Sequence, residues 1–254
     1  MADLLHSVNA LLYTYPPLLT GRLQRRYQRF FAEIRLDTGE VIVAHCPNTG
    51  PMTGVSVPGR PVCVSYQPSP RRRLPYTWEL IHVEDTEPTW VNINTARPNA
   101  VVRRWLEQRG LPALQDYRQI HREVPYGREG SRADFCLTGG ERPIYIEVKN
   151  TTWVQDRVAR FPDTVTTRGQ KHLRELMGLV PQARAVLIYF IGRHDCTHFA
   201  PGDAADPTYG QLLRQAVQQG VEVFPCQFEV NPSGIAYRRQ LPLVWDGPAP
   251  QQPP

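Results

Sequence analysis

Asp134, Glu147 and Lys149 are the residues whose types and spacing best suit them for chemistry. Phe135 and Leu137 alternate with Asp134 and Cys136, and after a break Ile144, Ile146 and Val148 alternate with Tyr145, Glu147 and Lys149. Period two is the pattern of strands with one apolar and one polar face. Thr138-Gly139-Gly140-Glu141-Arg142-Pro143 between them is a turn segment. If residue 138 faces 143, Asp134 faces Glu147, with the two pointing the same way. Opposed Cβ atoms in a ladder lie about 4.5–5.5 Å apart and like charges there repel, so the pair wants a cation between its members. Lys149 shares that polar face. The 29 cationic side chains are 27 Arg and only two Lys, Lys149 and Lys171. A compact ammonium can approach a water or a single phosphate oxygen more closely than the planar fork of Arg.

An Asp followed on the next strand by Glu-x-Lys is similar to the constellation of the PD-(D/E)xK nuclease fold, in which the acids hold a divalent metal. Mg²⁺ is commonly bound by one or two carboxylates together with waters and substrate phosphate. Bound metal activates water and offsets charge on the scissile phosphate. The expectation is therefore Mg²⁺ (or Mn²⁺) on Asp134 and Glu147. Lys149 would position water or offset phosphate charge, and the upstream acid Glu123 would be an accessory member of the catalytic set. The plainer reading is a solvated Glu-x-Lys on an exposed strand, with the Arg bias a matter of base composition.

Composition bounds the alternatives. A chain of 254 residues accommodates one large domain or two ordinary ones. Its 41% apolar content suffices for a core, and no run of eighteen apolar residues is present. The net charge of +5 and pI near 9.1 suit a polyanionic partner. Five cysteines without a Cys-x-x-Cys pair suggest neither a zinc site nor a disulfide framework. The start lacks a basic segment ahead of its apolar residues, as a secretory signal would have. The expectation is a cytoplasmic protein with no membrane partner.

The elements that must position the acids follow in chain order. Residues 1–17, broken by Pro16-Pro17, read as a loose extension or a short added helix. Residues 18–88 carry several short strands and turns, which predicts a small OB-like β-barrel. Between 18 and 75 there are nine Arg against three acids. Arg22, Arg25, Arg26, Arg29, Arg71, Arg72 and Arg73, with Tyr27 among the first cluster, are candidate nucleic-acid contacts, since OB folds hold single strands on basic faces with stacking aromatics. The alternative is a solvated basic face over a core containing Phe30 or Phe31.

Asn48 and Thr49, in Cys46-Pro47-Asn48-Thr49-Gly50, are either phosphate or base contacts or a tight turn in which Gly supplies positive φ. Residues 89–245 read as an α/β domain. It has a helix over 98–110 with Val101, Val102, Trp105 and Leu106 inward, and the acid-bearing hairpin. A second helix spans 168–180 with Leu173, Leu176, Met177 and Val180 inward, and a strand over 183–191 is buried on both faces. Gln170 and Lys171, in that helix's first turn, are placed over the acids, where backbone amides favour phosphate. Arg132 joins the nucleic-acid candidates. Residues 246–254, rich in Pro, read as a disordered tail. The overall expectation is a two-domain α+β protein.

Several longer strings carry a family likeness. Gly21-Arg22-Leu23, Arg26 to Phe30, His45 to Gly54, Pro75 to Leu80, Gly130 to Phe135, Tyr145 to Asn150, Phe161-Pro162-Asp163 and Arg168 to Met177 resemble the sugar fermentation stimulation protein A (SfsA) family, over about residues 18 to 245. The resemblance implies an OB-like domain, a PD-(D/E)xK-like domain with a mixed central sheet, DNA binding and a genetic link to bacterial sugar (maltose) use. Asp134, Glu147 and Lys149 match the motif core by position. Relatives often carry a carboxylate in the helix after Pro98-Asn99, where this chain has Arg103-Arg104; where that acid is the first metal ligand, either Glu123 or Glu107 substitutes here or metal binding is weak. A metal-dependent deoxyribonuclease is one expectation, and a non-catalytic DNA-binding regulator of sugar fermentation genes on the same scaffold is the alternative. A sugar-phosphate binder is a third. The oligomeric state stays open, a homodimer included.

Overall fold

The computed structural model of the chain describes residues 10–180 and 182–245. The expected tail over 246–254 and most of the expected N-terminal extension lie outside the described residues. Residues 11–14, expected as a loose segment or helix, instead form strand β1 (Leu11–Thr14). Its partner lies more than two hundred residues downstream, so no local period announces it. Leu12 and Tyr15 are buried in the core of the C-terminal domain.

The barrel consists of β2 (Leu18–Tyr27), β3 (Phe31–Leu36), β4 (Val41–His45), β5 (Pro61–Tyr66) and β6 (Tyr76–Val83), with β7 (Thr89–Asn92) added on the outer side of β6. The parallel pairing Ala44↔Tyr76 and His45↔Thr77 between β4 and β6 closes it. The β7 pairing, including Ile81↔Val91, carries this domain past the expected boundary at residue 88. Its core is built from the inward residues of alternating strands, among them Leu23, Ile34, Ile42, Val62, Trp78 and Ile81.

The C-terminal domain opens with helix α1 (Arg97–Glu107), followed by β8 (Gln119–Tyr126), β9 (Ser131–Thr138) and β10 (Ile144–Thr151). Next come a short hairpin, β11 (Trp153–Gln155) and β12 (Val158–Phe161), then α2 (Thr167–Leu179), β13 (Arg184–Ile191) and β14 (His198–Pro201). The domain ends with α3 (Pro207–Gln218), β15 (Glu222–Asn231) and β16 (Gly234–Gln240). Seven strands form one mixed sheet in the order β1-β16-β15-β13-β10-β9-β8, parallel at β10–β13 and β13–β15. Strands β11, β12 and β14 form a second, small sheet.

Strand β13 is buried on both faces. Val186, Ile188 and Phe190 pack with the α1 residues Val101, Val102, Trp105 and Leu106. Ala185, Leu187, Tyr189 and Ile191 pack toward Leu173 and Leu176 of α2 and Tyr209 and Leu213 of α3. The inward face of α2 departs from the expected one. Met177 and Val180 are only partly buried, whereas His172 and Glu175 are buried. Polar groups turned inward on an amphipathic helix need partners there, and for His172 those partners are the acid cluster described below.

Two ionic clamps fix the domains to one another. The fully buried Glu79 of the barrel accepts from Arg97 at 2.6 and 2.9 Å, from Asn94 Nδ2 at 2.8 Å and from Ser65 Oγ at 2.8 Å. Arg193, also fully buried, donates to Asp195, to Asp85 of the barrel at 2.9 Å and to the Thr152 carbonyl at 2.7 Å. Removing Arg97 or Arg193 would leave a buried carboxylate, Glu79 or Asp195, without its cation, which typically costs about 3–5 kcal/mol. Among the described residues no helix is long and apolar enough to cross a membrane.

Candidate active site

The β9–β10 ladder pairs Leu137 with Ile144, Cys136 with Tyr145 and Phe135 with Ile146. One step further along this register brings Asp134 opposite Glu147, as the alternation predicts. Asp134 Oδ2 accepts the Val148 backbone N–H at 2.7 Å, and Oδ1 accepts Asn99 Nδ2 at 2.7 Å. Glu147, 2% exposed, accepts the Tyr126 hydroxyl at 3.1 Å on Oε1. On Oε2 it meets Lys149 Nζ at 3.2 Å and His172 Nδ1 at 2.9 Å. Lys149 Nζ also lies 2.9 Å from His172 Nδ1. Asp134, Glu147, Lys149, Asn99 and His172 line one cleft, with Thr95 and Arg168 at its margins.

The protons follow from the network. Arg168 Nε lies 3.4 Å from His172 Nε2 and can only donate, so Nε2 accepts and Nδ1–H points to Glu147. Lys149 and His172 then both donate to one carboxylate oxygen. A ring nitrogen cannot give its proton to Glu147 and accept one from Lys149 at once, so the cluster is held together through Glu147.

The two carboxylates are pushed apart electrostatically. Burial and the neighbouring Glu147 raise the Asp134 pKa above the usual carboxylate range, outweighing the Val148 and Asn99 hydrogen bonds. Burial also opposes ionisation of Glu147, but His172 and Lys149 outweigh it and its pKa falls below the usual range. Pairs of acids split in this way by their surroundings are a mark of functional sites. Among the described residues no three His, Cys, Asp or Glu are grouped to hold a metal ion. A cation placed between Asp134 and Glu147 would complete its shell with water or substrate oxygens.

Several expected site residues lie elsewhere. Glu123 is exposed on β8 in a left-handed backbone conformation (φ 52°), its carbonyl accepting from Arg132 at 3.0 Å, and its side chain does not line the cleft. The irregular backbone interrupts the alternation that would have turned it inward. Glu107 pairs with Arg103 and Arg104 at the far, exposed end of α1. The place near Asp134 belongs instead to Asn99, in the first turn of that helix. Gln170 donates to Asp206 at 2.9 and 3.0 Å, and Lys171 reaches the Glu129 carbonyl. The face of α2 over the acids carries residues 168, 169 and 172, one helical turn apart. Helical spacing from Arg168 points to His172, and Asn99 follows a proline at a helix start. Those were the signals available for both.

On the barrel, most of the expected basic contacts are committed to the protein itself. Arg25 pairs with Glu33 at 2.9 Å and lies 5.1 Å over the Tyr27 ring, which stacks on Phe31. Arg22 donates to the Gly59 carbonyl. Arg26 holds the carbonyls of Arg29, Asn48 and Gly50. Arg29 occupies the β2–β3 turn at φ 63°. Asn48 Oδ1 accepts the Gly50 N–H at 2.9 Å, which is the tight-turn reading, while the residue also lines a small cleft beside the acids. Thr49, Arg71 and Arg73 are exposed, and Arg72 bonds Gln67 and Thr77. Phe30, Phe31, His45, Leu74, Arg72 and Arg73 line a hollow on the barrel surface. Burial and Arg72 hold the His45 pKa below its usual value.

Comparison with known proteins matches both halves of the molecule. Residues 25–93 match the family described as SfsA N-terminal OB domain, and residues 96–234 match the sugar fermentation stimulation protein RE domain. A sugar fermentation stimulation protein homolog of Synechococcus elongatus is 65% identical over 232 residues, covering 91% of this chain and 98% of its own. The homolog of Acaryochloris marina is 60% identical over 226 residues, covering 89% and 93%. The structure of Pyrococcus furiosus SfsA in complex with Ca²⁺ matches at 26% identity with a TM-score of 0.83, over 92% of this chain and 99% of that one. The chain belongs to the sugar fermentation stimulation protein family.

Proposed function

We propose that this protein hydrolyses DNA phosphodiester bonds in a divalent-metal-dependent reaction at the Asp134–Glu147–Lys149 cleft. The observation that carries the reading is the opposition of the buried Glu147 and the half-buried Asp134, a pair in which Lys149 and His172 bond Glu147 alone. A protein that only binds DNA gains nothing from placing a second acid opposite a buried one. The donor set is all hard oxygen, which fits Mg²⁺ or Mn²⁺ completed by waters and a phosphate oxygen. The Ca²⁺ complex of the Pyrococcus furiosus relative supports a hard-cation site in this fold.

Asp134 and Glu147 would hold the metal, which when bound supplies an activated water and charge stabilisation at phosphate. Asn99 and the Val148 N–H fix the Asp134 carboxylate in place. Tyr126 does the same for Glu147 Oε1, so both acids are oriented before substrate arrives. Lys149, anchored at 3.2 Å from Glu147, presents its ammonium to the attacking water or to a phosphate oxygen, where it offsets charge developing in the transition state. His172 keeps Glu147 ionised.

The test is incubation of the purified protein with labelled single- and double-stranded DNA in Mg²⁺, Mn²⁺ or EDTA, beside Glu147→Ala and Lys149→Ala. The expected result is metal-dependent cleavage lost in both variants, with binding retained. Binding without cleavage in any metal would reduce the protein to a DNA-binding factor on this scaffold. A flat affinity between about 50 and 200 mM salt would remove DNA as the ligand, because phosphate contacts weaken steeply over that range.

A further inference from the structure

Beside the acid cleft lies a second, smaller one of about 120 Å³ that the chemistry above does not use. The barrel contributes Asn48, the end of β10 contributes Asn150, and the β11–β12 hairpin with its following loop contributes Trp153, Arg160, Phe161 and Asp163. Thr95, Asn150 and Phe161 line both clefts, so the two are contiguous. We propose that this cleft receives a single unpaired nucleobase next to the scissile phosphate, making the protein selective for single-stranded DNA at the point of cleavage. The inference rests on the hydrolytic reading for its link to cleavage, and its binding component is separable from it.

Four features select a base over a phosphate or a sugar. Two aromatic side chains, Trp153 and Phe161, offer stacking surfaces. A Cβ at Gly202 would come within 3.0 Å of the Trp153 ring and 2.1 Å of the Pro162 carbonyl, so the glycine is what lets the indole pack against that backbone. Asn150 Oδ1 is buried without a hydrogen-bond partner, an acceptor that a base amino or imino N–H would satisfy. The Asp163 carboxylate on the same wall accepts from base donors, and Arg160 beside it leaves the cleft without a net charge to draw phosphate in place of a base.

The wall is also built in advance. Arg26 holds the Asn48 and Gly50 carbonyls at 2.9 Å each, and Thr95 Oγ1 donates to the Pro47 carbonyl at 3.1 Å. The barrel loop therefore needs no reordering to bind, which favours affinity. A base stacked and paired in a duplex cannot enter such a cleft without being extruded, whereas a single strand offers it directly.

The experiment measures binding of the full chain, in EDTA, to a fluorescent single-stranded oligonucleotide and to the same sequence in a hairpin duplex. Wild type is compared with Trp153→Ala, Trp153→Phe and Asn48→Ala, and thermal melting confirms that each variant is folded. Cleavage is followed in parallel with Mg²⁺ on oligonucleotides carrying one abasic position. Stacking of one base predicts that Trp153→Ala weakens single-strand binding roughly 5- to 150-fold. Trp153→Phe should restore most of it, duplex binding should be unmoved, and an abasic position beside the cut should slow cleavage. Equal affinity of wild type, Trp153→Ala and Asn48→Ala for the single strand would overturn the subsite, and accompanying cleavage would leave hydrolysis standing. Trp153-dependent single-strand binding with no cleavage in any metal would sustain the subsite and overturn hydrolysis. Absence of binding to either DNA would overturn both.

Discussion

The acid cleft and the basic face of the barrel differ in what their charged groups are bonded to. In the cleft, Glu147, Lys149 and His172 are bonded to one another and Asp134 to Asn99 and the Val148 N–H, and the result is an unequal pair of acids facing a shared space. On the barrel, Arg25 is spent on Glu33, Arg60 on Glu84, and Arg22 and Arg26 on backbone carbonyls. The first arrangement concentrates charge where a ligand can meet it. The second mostly dissipates charge into the architecture, leaving Arg71 exposed and Arg73 exposed at the rim of the Phe30 hollow. A local count of nine arginines against three acids therefore overstates the charge available to a partner, whereas two opposed acids understate what the cleft can do.

The comparison is most sharply tested at Glu147. Glu147→Gln removes the negative charge that Lys149, His172 and the proposed metal would share. If the cleft is the reactive centre, the rate falls by about a thousandfold or more, the equivalent of several kcal/mol of transition-state stabilisation. Binding in EDTA should hardly change. Next comes Lys149→Ala, with an expected loss of roughly 10²–10³-fold in kcat, the range for removing a single charge-stabilising donor. Lys149→Arg should not rescue it, because the planar fork does not fit an ammonium position 12% exposed between Glu147 and His172. Full activity in the Arg variant would show that Lys149 acts only as surface charge.

His172→Ala should cost about 10–100-fold, as for other residues that orient a metal ligand. Its second readout is the acid limb of the pH profile. His172 lowers the Glu147 pKa, so its loss raises that pKa and the carboxylate protonates at higher pH. Asn99→Ala acts on the partner acid by the same logic. The Asn99 hydrogen bond lowers an Asp134 pKa that burial and Glu147 already hold high, so removing it lifts that pKa further. Activity that needs both carboxylates ionised is then lost at higher pH as the solution is acidified. An unmoved acid limb in both variants would mean that neither carboxylate has to ionise for turnover.

How much of this was legible in the sequence divides along the same line. Strand register follows from period two and from turn length, and those put Asp134 opposite Glu147 and Lys149 on their face before any coordinates. The double burial of residues 183–191 was legible for the same reason, since an unbroken apolar run has no polar face to expose. Long-range partners were not. Strand β1 pairs with residues 234–236, and Asn99 reaches Asp134 across the domain. Neither contact leaves a local period. Gln170 and Lys171 were placed over the acids because they are polar and early in α2, yet the helix turns residues 168 and 172 there instead. The capping hydrogen bond from Gly169 N–H to Thr166 Oγ1 starts the helix one residue before the expected 168. Glu123, expected as the upstream accessory acid, does not line the cleft, and its left-handed backbone interrupts the regular course of β8 there.

The smallest expected effects separate the arginines that serve the fold from those that serve a ligand. Arg26 ties the Asn48 loop to the barrel through three carbonyls, so Arg26→Ala should lower stability by about 2 kcal/mol, in the range for hydrogen bonds to a charged group. Arg71→Ala and Arg73→Ala touch no such network and should leave thermal melting unchanged. If those two side chains each neutralise one phosphate, each substitution should flatten the slope of log affinity against log salt by about 0.7 on a single strand. Affinity at a fixed moderate salt would then drop only a few-fold. A salt slope unchanged by both substitutions would mean that the barrel's exposed arginines contact no phosphate, and that the DNA path lies wholly along the clefts beside Asn48 and the acids. A slope reduced equally by Arg25→Ala would show that ion pairs such as Arg25–Glu33 open on binding, and that the contrast between the two regions is one of resting state alone.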